Sequence, residues 1–175
     1  MRIIAGRYKS RRLKAGPPDK TRPTSDKLRE TVFNILGDRV IESVFLDAYA
    51  GVGAIGIEAI SRGARSVCFV DRATRACAVI RANLETLNIK EDCRVLRMEC
   101  GDALSLCVRE RVGFDIVYLD PPYDREDLYR RDLERLSTNA LLNEGSIVVT
   151  EHLRSVAMPV NIPGLAHLRM HRQGD

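Results

Sequence analysis

The chain has 175 residues, 45% of them hydrophobic, enough for one domain with a sizeable core. No apolar run approaches the roughly 18 residues of a membrane span and no signal peptide opens the chain, so a cytoplasmic protein with no membrane partner is expected. The net charge of +4 is uneven: residues 1–29 hold ten Lys or Arg against two Asp, leaving eighteen against twenty-two acids elsewhere. Such asymmetry fits a basic arm that meets nucleic acid, joined to a near-neutral enzyme-like body. A solvated tail fits the charge alone equally well. Five cysteines, at 68, 77, 93, 100 and 107, form no Cys-x-x-Cys pair, and the three histidines sit near the C-terminus. Neither a zinc site nor a disulfide framework is expected; reduced, mostly buried thiols are.

The arm, residues 1–23, reads as a small basic hairpin rather than a disordered tail. Two short apolar-containing runs flank Gly6, while Arg7, Lys9, Arg11 and Arg12 crowd the faces and Tyr8 offers a ring among them. Arg22-Pro23-Thr24 leads into a helix that Thr24 or Ser25 can cap, with Leu28, Val32, Ile35 and Leu36 as its apolar stripe and Gly37 as its end. Arg29 on that helix can pair with a neighbouring acid. Residues 24–175 then form one domain.

From residue 44 the pattern alternates. Strands are predicted over 44–48, 66–70, 94–98, 114–119 and 146–150, and helices over 54–62, 73–88, 103–109 and 127–136. This order implies an α/β fold, a doubly wound and mainly parallel Rossmann-like sheet with helices on both faces. Residues 165–170 could add one more strand, but the chain ends at Arg172-Gln-Gly-Asp175 with no hairpin partner for it.

Two stretches carry the chemistry. Asp47-Ala-Tyr-Ala-Gly-Val-Gly-Ala-Ile-Gly56 spans a strand-to-helix junction; Gly51, Gly53 and Gly56 match G-x-G-x-x-G, and Asp71 follows Gly51 by twenty residues. The spacing alone is the dinucleotide fingerprint, so an NAD oxidoreductase has to be weighed. Asp47 argues against it, because its charge would repel a pyrophosphate and suits a cofactor with an ammonium group. Asp71 would take ribose hydroxyls, and Asp102, after the third strand, could receive an adenine amine.

The second stretch is Phe114-Asp-Ile-Val-Tyr-Leu-Asp-Pro-Pro-Tyr123. Two prolines stop a buried strand and leave an acid at its carboxyl end. The Asp120 carboxylate and the Pro121 carbonyl can together hold both hydrogens of an exocyclic amine. Tyr123 can stack on the base that carries it, an interaction worth roughly 1–3 kcal/mol. An Asp-Pro turn without function is the bland reading; Pro-Pro-Tyr and the upstream glycine loop outweigh it.

Asp47 to Gly56, Asp71, Gly101-Asp102 and Asp120 to Tyr123 resemble the motifs of class I S-adenosylmethionine-dependent amino-methyltransferases. Arg2-Ile-Ile-Ala-Gly6, Arg22-Pro-Thr24, Arg29-Glu-Thr-Val-Phe-Asn34 and Ala59-Ile-Ser-Arg-Gly-Ala64 are similar to those of the RsmD family, from residue 2 to about 151. Members of that family are bacterial enzymes that methylate the exocyclic N2 of a guanine in 16S ribosomal RNA. The resemblance implies S-adenosylmethionine as cofactor, held by Asp47, Ala48, Gly51, Gly53, Asp71, Arg72, Asp102, Ala103 and Asp120. It implies Asp120, Pro121, Pro122 and Tyr123 as the catalytic set. Arg7, Lys9, Arg11, Arg12 and Arg22 would contact RNA, and the small ribosomal subunit would be the partner of a monomer without metal. The family usually continues past such a C-terminal turn into a final strand, so an incomplete sheet is expected. An N6-adenine or glutamine-amide methyltransferase, and an RNA-binding module without catalysis, remain as alternatives.

Overall fold

The computed structural model describes residues 1–15, 25–122, 125–159 and 161–173. Helix α1 (Asp26–Leu36) is followed by a 3-10 turn, then β1 (Val44–Ala48), α2 (Ala54–Ser61), β2 (Ser66–Asp71), α3 (Thr74–Thr86), β3 (Asp92–Arg97), α4 (Cys100–Glu110), β4 (Phe114–Leu119), α5 (Asp127–Thr138) and β5 (Leu142–Thr150). All strand pairs are parallel and the sheet order is β3-β2-β1-β4-β5. The order reverses between β1 and β4, the switch point at whose carboxyl edge open α/β sheets bind ligands.

Strands β1 and β4 are rich in β-branched and aromatic residues and are buried almost throughout, as the central strands of a parallel sheet must be. One face packs Phe45, Phe69, Ile116 and Tyr118 against α1, α2 and α3; the other packs Leu46, Val70, Val117 and Leu119 against α4 and α5. The five cysteines are free, four of them buried in the core. No helix among the described residues is long and apolar enough to cross a membrane.

Every residue of α2 is buried, because the sheet covers one side and the arm covers the other. Residues 1–13 form a hairpin reduced to one antiparallel bridge, Arg2 to Arg12, with Ile3 and Leu13 in the core. Glu58 of α2 accepts from the Ile4 and Ala5 amides at 2.8 and 3.0 Å, and Ser61 accepts from the Arg7 and Tyr8 amides at 2.7 and 3.0 Å. The far end is held by the buried Asn83 amide, which accepts from Lys14 N at 2.8 Å and donates to Lys14 O and Val52 O, both at 3.3 Å. Residues 1–14 of the basic arm are therefore part of the folded body.

Several sequence expectations are corrected. Ser25 caps α1, its hydroxyl accepting from Leu28 N at 3.1 Å, but the buried face is Arg29, Phe33 and Leu36. Ile35 points outward. The helix is rotated because Arg29 is wholly buried, donating to Asp26 at 3.0 Å and to the Arg2 carbonyl, with Glu58 3.6 Å away. The strand predicted over 146–150 starts earlier, at Leu142, and carries a bulge at Asn143-Glu-Gly145: Phe114 pairs with Leu142 and Ile116 with Ile147, and Gly145 takes a φ of +73°. Residues 165–170 form no strand, and Leu168 and Met170 are exposed. Helices predicted at 73–88 and 103–109 run over 74–86 and 100–110.

Gly6 is where the arm meets α2. It has φ +81°, and a Cβ there would lie 1.8 Å from the Ser61 carbonyl oxygen. Gly6→Ala should therefore cost roughly 2 kcal/mol or more, combining αL strain with a backbone clash. Urea denaturation with limited proteolysis of residues 1–15 checks this; unchanged stability and protection would exclude the close contact as an anchor.

Candidate active site

The site grows from the carboxyl ends of β1, β2, β4 and β5. The Asp47 carboxylate, 2% exposed, accepts from the Gly56 amide at 2.8 Å. It thereby satisfies one of the unpaired N–H groups in the first turn of α2. The two oxygens of Asp71 accept from Gly51 N at 2.9 Å and Ala73 N at 2.8 Å. Two acids on neighbouring strands thus fix the glycine loop at both ends.

The loop's shape needs its glycines. Gly53 caps α2 with φ +78°, and a Cβ at Gly56 would sit 2.3 Å from the Phe69 ring, so only glycine lets α2 lie this close to the sheet. Gly51 has φ +55° and, among the described residues, nothing within 4 Å of its would-be Cβ. Among those residues that side of the loop is open. Tyr49, also at positive φ (65°), is tied down by its hydroxyl, which donates to the buried Asp132 of α5. Arg131 donates to the same carboxylate at 2.9 Å. Tyr49 is thus a packing and anchoring residue, as is Phe33, stacked on Phe45 at 6.3 Å.

Asp120 follows β4, beside the loop across the switch point. Ala48 and Leu119 are register partners, so the chain turns off into the glycine loop and into Asp120 at the same height. Pro121 is buried and Pro122 half-buried. Burial and the charges of Glu151 and Asp47 push the Asp120 carboxyl up to about 8. Burial also raises Asp47, to about 7, with the Gly56 hydrogen bond opposing and Asp71 adding to the rise.

The remaining sequence candidates are spread around this centre. Ala48 is wholly buried beneath the loop. Arg72 is exposed, 3.4 Å from Glu99. Asp102 lies in the first turn of α4 with an exposed side chain, five residues beyond β3, and Ala103 next to it is buried. Among the arm residues, Lys9, Arg11 and Arg12 are exposed. Arg7 pairs with Glu91 and covers the Tyr8 ring at 5.8 Å, and Tyr8 packs against the core, so it is no free stacking platform. Arg22 and Tyr123 lie outside the described residues.

Sequence reasoning missed Glu151. Its amide donates to Leu119 O at 2.9 Å and its carboxylate accepts from the Tyr118 hydroxyl. The signal was available: an acid directly after the last apolar strand run stands as Asp120 does after its own.

The Conserved hypothetical protein 95 family matches residues 1–175. The chain belongs to that family. It is 37% identical over 174 residues to the Putative rRNA methyltransferase YlbH of Bacillus subtilis, covering 99% of this chain and 94% of that protein. It is 30% identical to the Ribosomal RNA small subunit methyltransferase D of Escherichia coli, covering 99% and 83%. The structure of a Thermus thermophilus hypothetical protein, TTHA0928, superposes with a TM-score of 0.80 at 25% identity, over 91% of this chain and 90% of that one. Fold and relatives together make this Conserved hypothetical protein 95 member an RsmD-like chain with the class I S-adenosylmethionine-dependent methyltransferase fold.

The donor set fits that cofactor: open space over Gly51, ribose-type acceptors on Asp71, and buried acids that gain from a nearby cation. Both raised acids hold protons in the folded form across pH 4–8 that the unfolded chain has lost. Stability therefore falls as pH rises through that window. A cationic ligand favours the ionised acids and offsets the loss. The melting temperature of the ligand-free protein should drop between pH 5.5 and 8, and S-adenosylmethionine should raise it more at pH 8 than at pH 6. Equal ligand shifts at both values would exclude cation contact with these carboxyls.

Proposed function

We propose that the chain methylates the exocyclic N2 amine of a guanine in 16S ribosomal RNA, on a small-subunit assembly particle. The observation that carries this reading is Asp120-Pro121 at the carboxyl end of β4, level with the open glycine loop across the switch point. Relatives named as ribosomal RNA small subunit methyltransferases support the substrate class.

Asp47, Ala48, Gly51, Gly53, Asp71, Arg72, Asp102, Ala103 and Asp120 would hold S-adenosylmethionine. When bound, that cofactor supplies an electrophilic methyl group on a sulfonium. The protein's own work is done at the amine. A guanine amine is a poor nucleophile because its lone pair is delocalised into the ring. The Asp120 carboxylate and the Pro121 carbonyl accept its two hydrogens, orient the lone pair and favour its pyramidal form. They also stabilise the positive charge that grows on nitrogen. This is positioning plus preorganised electrostatics. Tyr123 is assigned to stacking on the extruded base. No histidine is required, since proton loss can follow attack.

Asp120→Ala should lower kcat by about 10²–10³-fold and weaken cofactor binding by a smaller factor. Transfer from tritiated S-adenosylmethionine to undermethylated 30S particles, with nucleoside chromatography, is the assay. Label in N2-methylguanosine supports the reading; label in N6-methyladenosine keeps the chemistry and moves the target.

RNA contact is assigned to the exposed cations Lys9, Arg11 and Arg12, and also to Arg7 and Arg22. Replacing Lys9, Arg11 and Arg12 by alanine should reduce the slope of log K against log salt by about 2 for single-stranded RNA, at ~0.7 per phosphate contact. An unchanged slope would remove the arm from the interface.

A further inference from the structure

The carboxyl edge of the sheet holds one acid that the mechanism above does not use. Leu119 and Thr150 are register partners, so Asp120 and Glu151 leave β4 and β5 side by side. The Leu119–Thr150 pair is closed by Glu151 N, which donates to Leu119 O at 2.9 Å, and Tyr118 pairs with Val149, two residues before Glu151. In parallel pairing, partners project to the same face, and so do residues two apart. Tyr118, Asp120 and Glu151 therefore share a face. Tyr118 is wholly buried, and its hydroxyl donates to Glu151 Oε2. From the helical side, the buried Tyr129 of α5 donates its hydroxyl to the Glu151 carbonyl at 2.7 Å. Glu151 is thus fixed at its side chain by one tyrosine and at its backbone by another.

We propose that Glu151 is a positioning residue for Asp120, a carboxylate held beside it by Tyr118 and Tyr129 so that Asp120 takes the proton the methylated amine sheds. This rests on the reading of the site as an amine methyltransferase. The methyl group reaches nitrogen as a cation equivalent, so the amine is left with one proton too many. That proton passes from nitrogen to an Asp120 oxygen, and the N–H electron pair stays on nitrogen. An isolated carboxylate at an ordinary acidity is a weak acceptor. A second negative charge alongside makes Asp120 a stronger one, since two carboxylates in one pocket resist ionising together.

The groups bearing on Asp120 are Asp47 on β1, Tyr118 on β4 and Glu151 just past β5, with Tyr129 on α5 holding Glu151 and Asp71 on β2 acting on Asp47. The charges bearing on Asp120 from Asp47 and Glu151 are both negative. Because Asp47 is already committed to the Gly56 amide, Glu151 is the neighbour whose charge can be removed without disturbing the loop.

The deciding measurement is the carbon-13 NMR titration of the Asp120 carboxyl in ligand-free protein, assigned by its loss in Asp120→Asn. Glu151→Gln keeps an oxygen for the Tyr118 hydroxyl and removes the charge. It should lower the Asp120 midpoint by a unit or more and slow single-turnover methylation tenfold or more, shifting the pH–rate profile to lower pH. Tyr118→Phe, which removes the hydroxyl that donates to the Glu151 carboxylate, should move the midpoint in the same direction by less, and serves if Glu151→Gln misfolds. An unchanged midpoint overturns the proposal, as does a lowered midpoint with a wild-type pH–rate profile. If the wild-type protein transfers no methyl group to either RNA or particle, the reading of function falls. The midpoint still decides whether Glu151 governs Asp120.

Discussion

A single hydrogen bond, from the Gly56 amide to the buried Asp47 carboxylate, fixes the relation of sheet to glycine loop on which the site depends. Burying an unpaired carboxylate in an apolar layer is costly. Here the cost is reduced in two ways: the amide satisfies one oxygen, and the group's acidity moves to about 7 so that it need not be charged. In return the first turn of α2 is held directly over the end of β1. The close packing of Gly56 on Phe69 then leaves no room for the helix to drift. Asp71 repeats the device one strand over, on the Gly51 amide.

The same helix ties the basic arm to the site. Glu58 is buried, yet it serves the Ile4 and Ala5 amides, Arg62 at 2.8 Å, and Arg29 at 3.6 Å. A buried ion cluster of this sort contributes little net stability, because desolvation opposes the attraction. What it provides is a satisfied set of partners for backbone that would otherwise be buried unpaired, and so one path for the arm. That path ends at Asn83, whose amide touches both Lys14 of the arm and Val52 of the glycine loop. The exposed cations Lys9, Arg11 and Arg12 and the glycine loop are therefore parts of one folded surface rather than a tail and a body.

Local pattern made the strands 44–48 and 114–119 legible to the residue, since short apolar β-branched runs bounded by turn residues admit few other readings. The glycine loop was legible for the same reason. Its first acid was read as a ligand contact, however, and in the fold it is first a cap for α2. The stripe of α1 was misread because a charged residue, Arg29, faces inward. No periodicity can anticipate that without knowing that Glu58 waits there. The bulge in β5 depends on its register against β4, and whether residues 165–170 pair depends on the rest of the sheet. Both are non-local facts. Glu151 was hidden differently: its significance lies in its pairing beside Asp120, which only the strand order reveals.

That strand order also separates the two readings a G-x-G-x-x-G spacing allows. A pyrophosphate needs backbone amides that are free and a floor that is neutral or positive. In this loop the Gly51 and Gly56 amides are already donated to carboxylates. Beneath and beside it lie Asp47 and Asp120, both poised to ionise near neutral pH, with Glu151 behind. An approaching phosphate would keep these acids protonated and find its amides taken. An approaching cation would ionise them and draw on two or three charges in a dry pocket, where Coulomb attraction is strong. The glycine spacing describes only a tight turn against a sheet; the acids beneath it decide the sign of the charge the turn accepts.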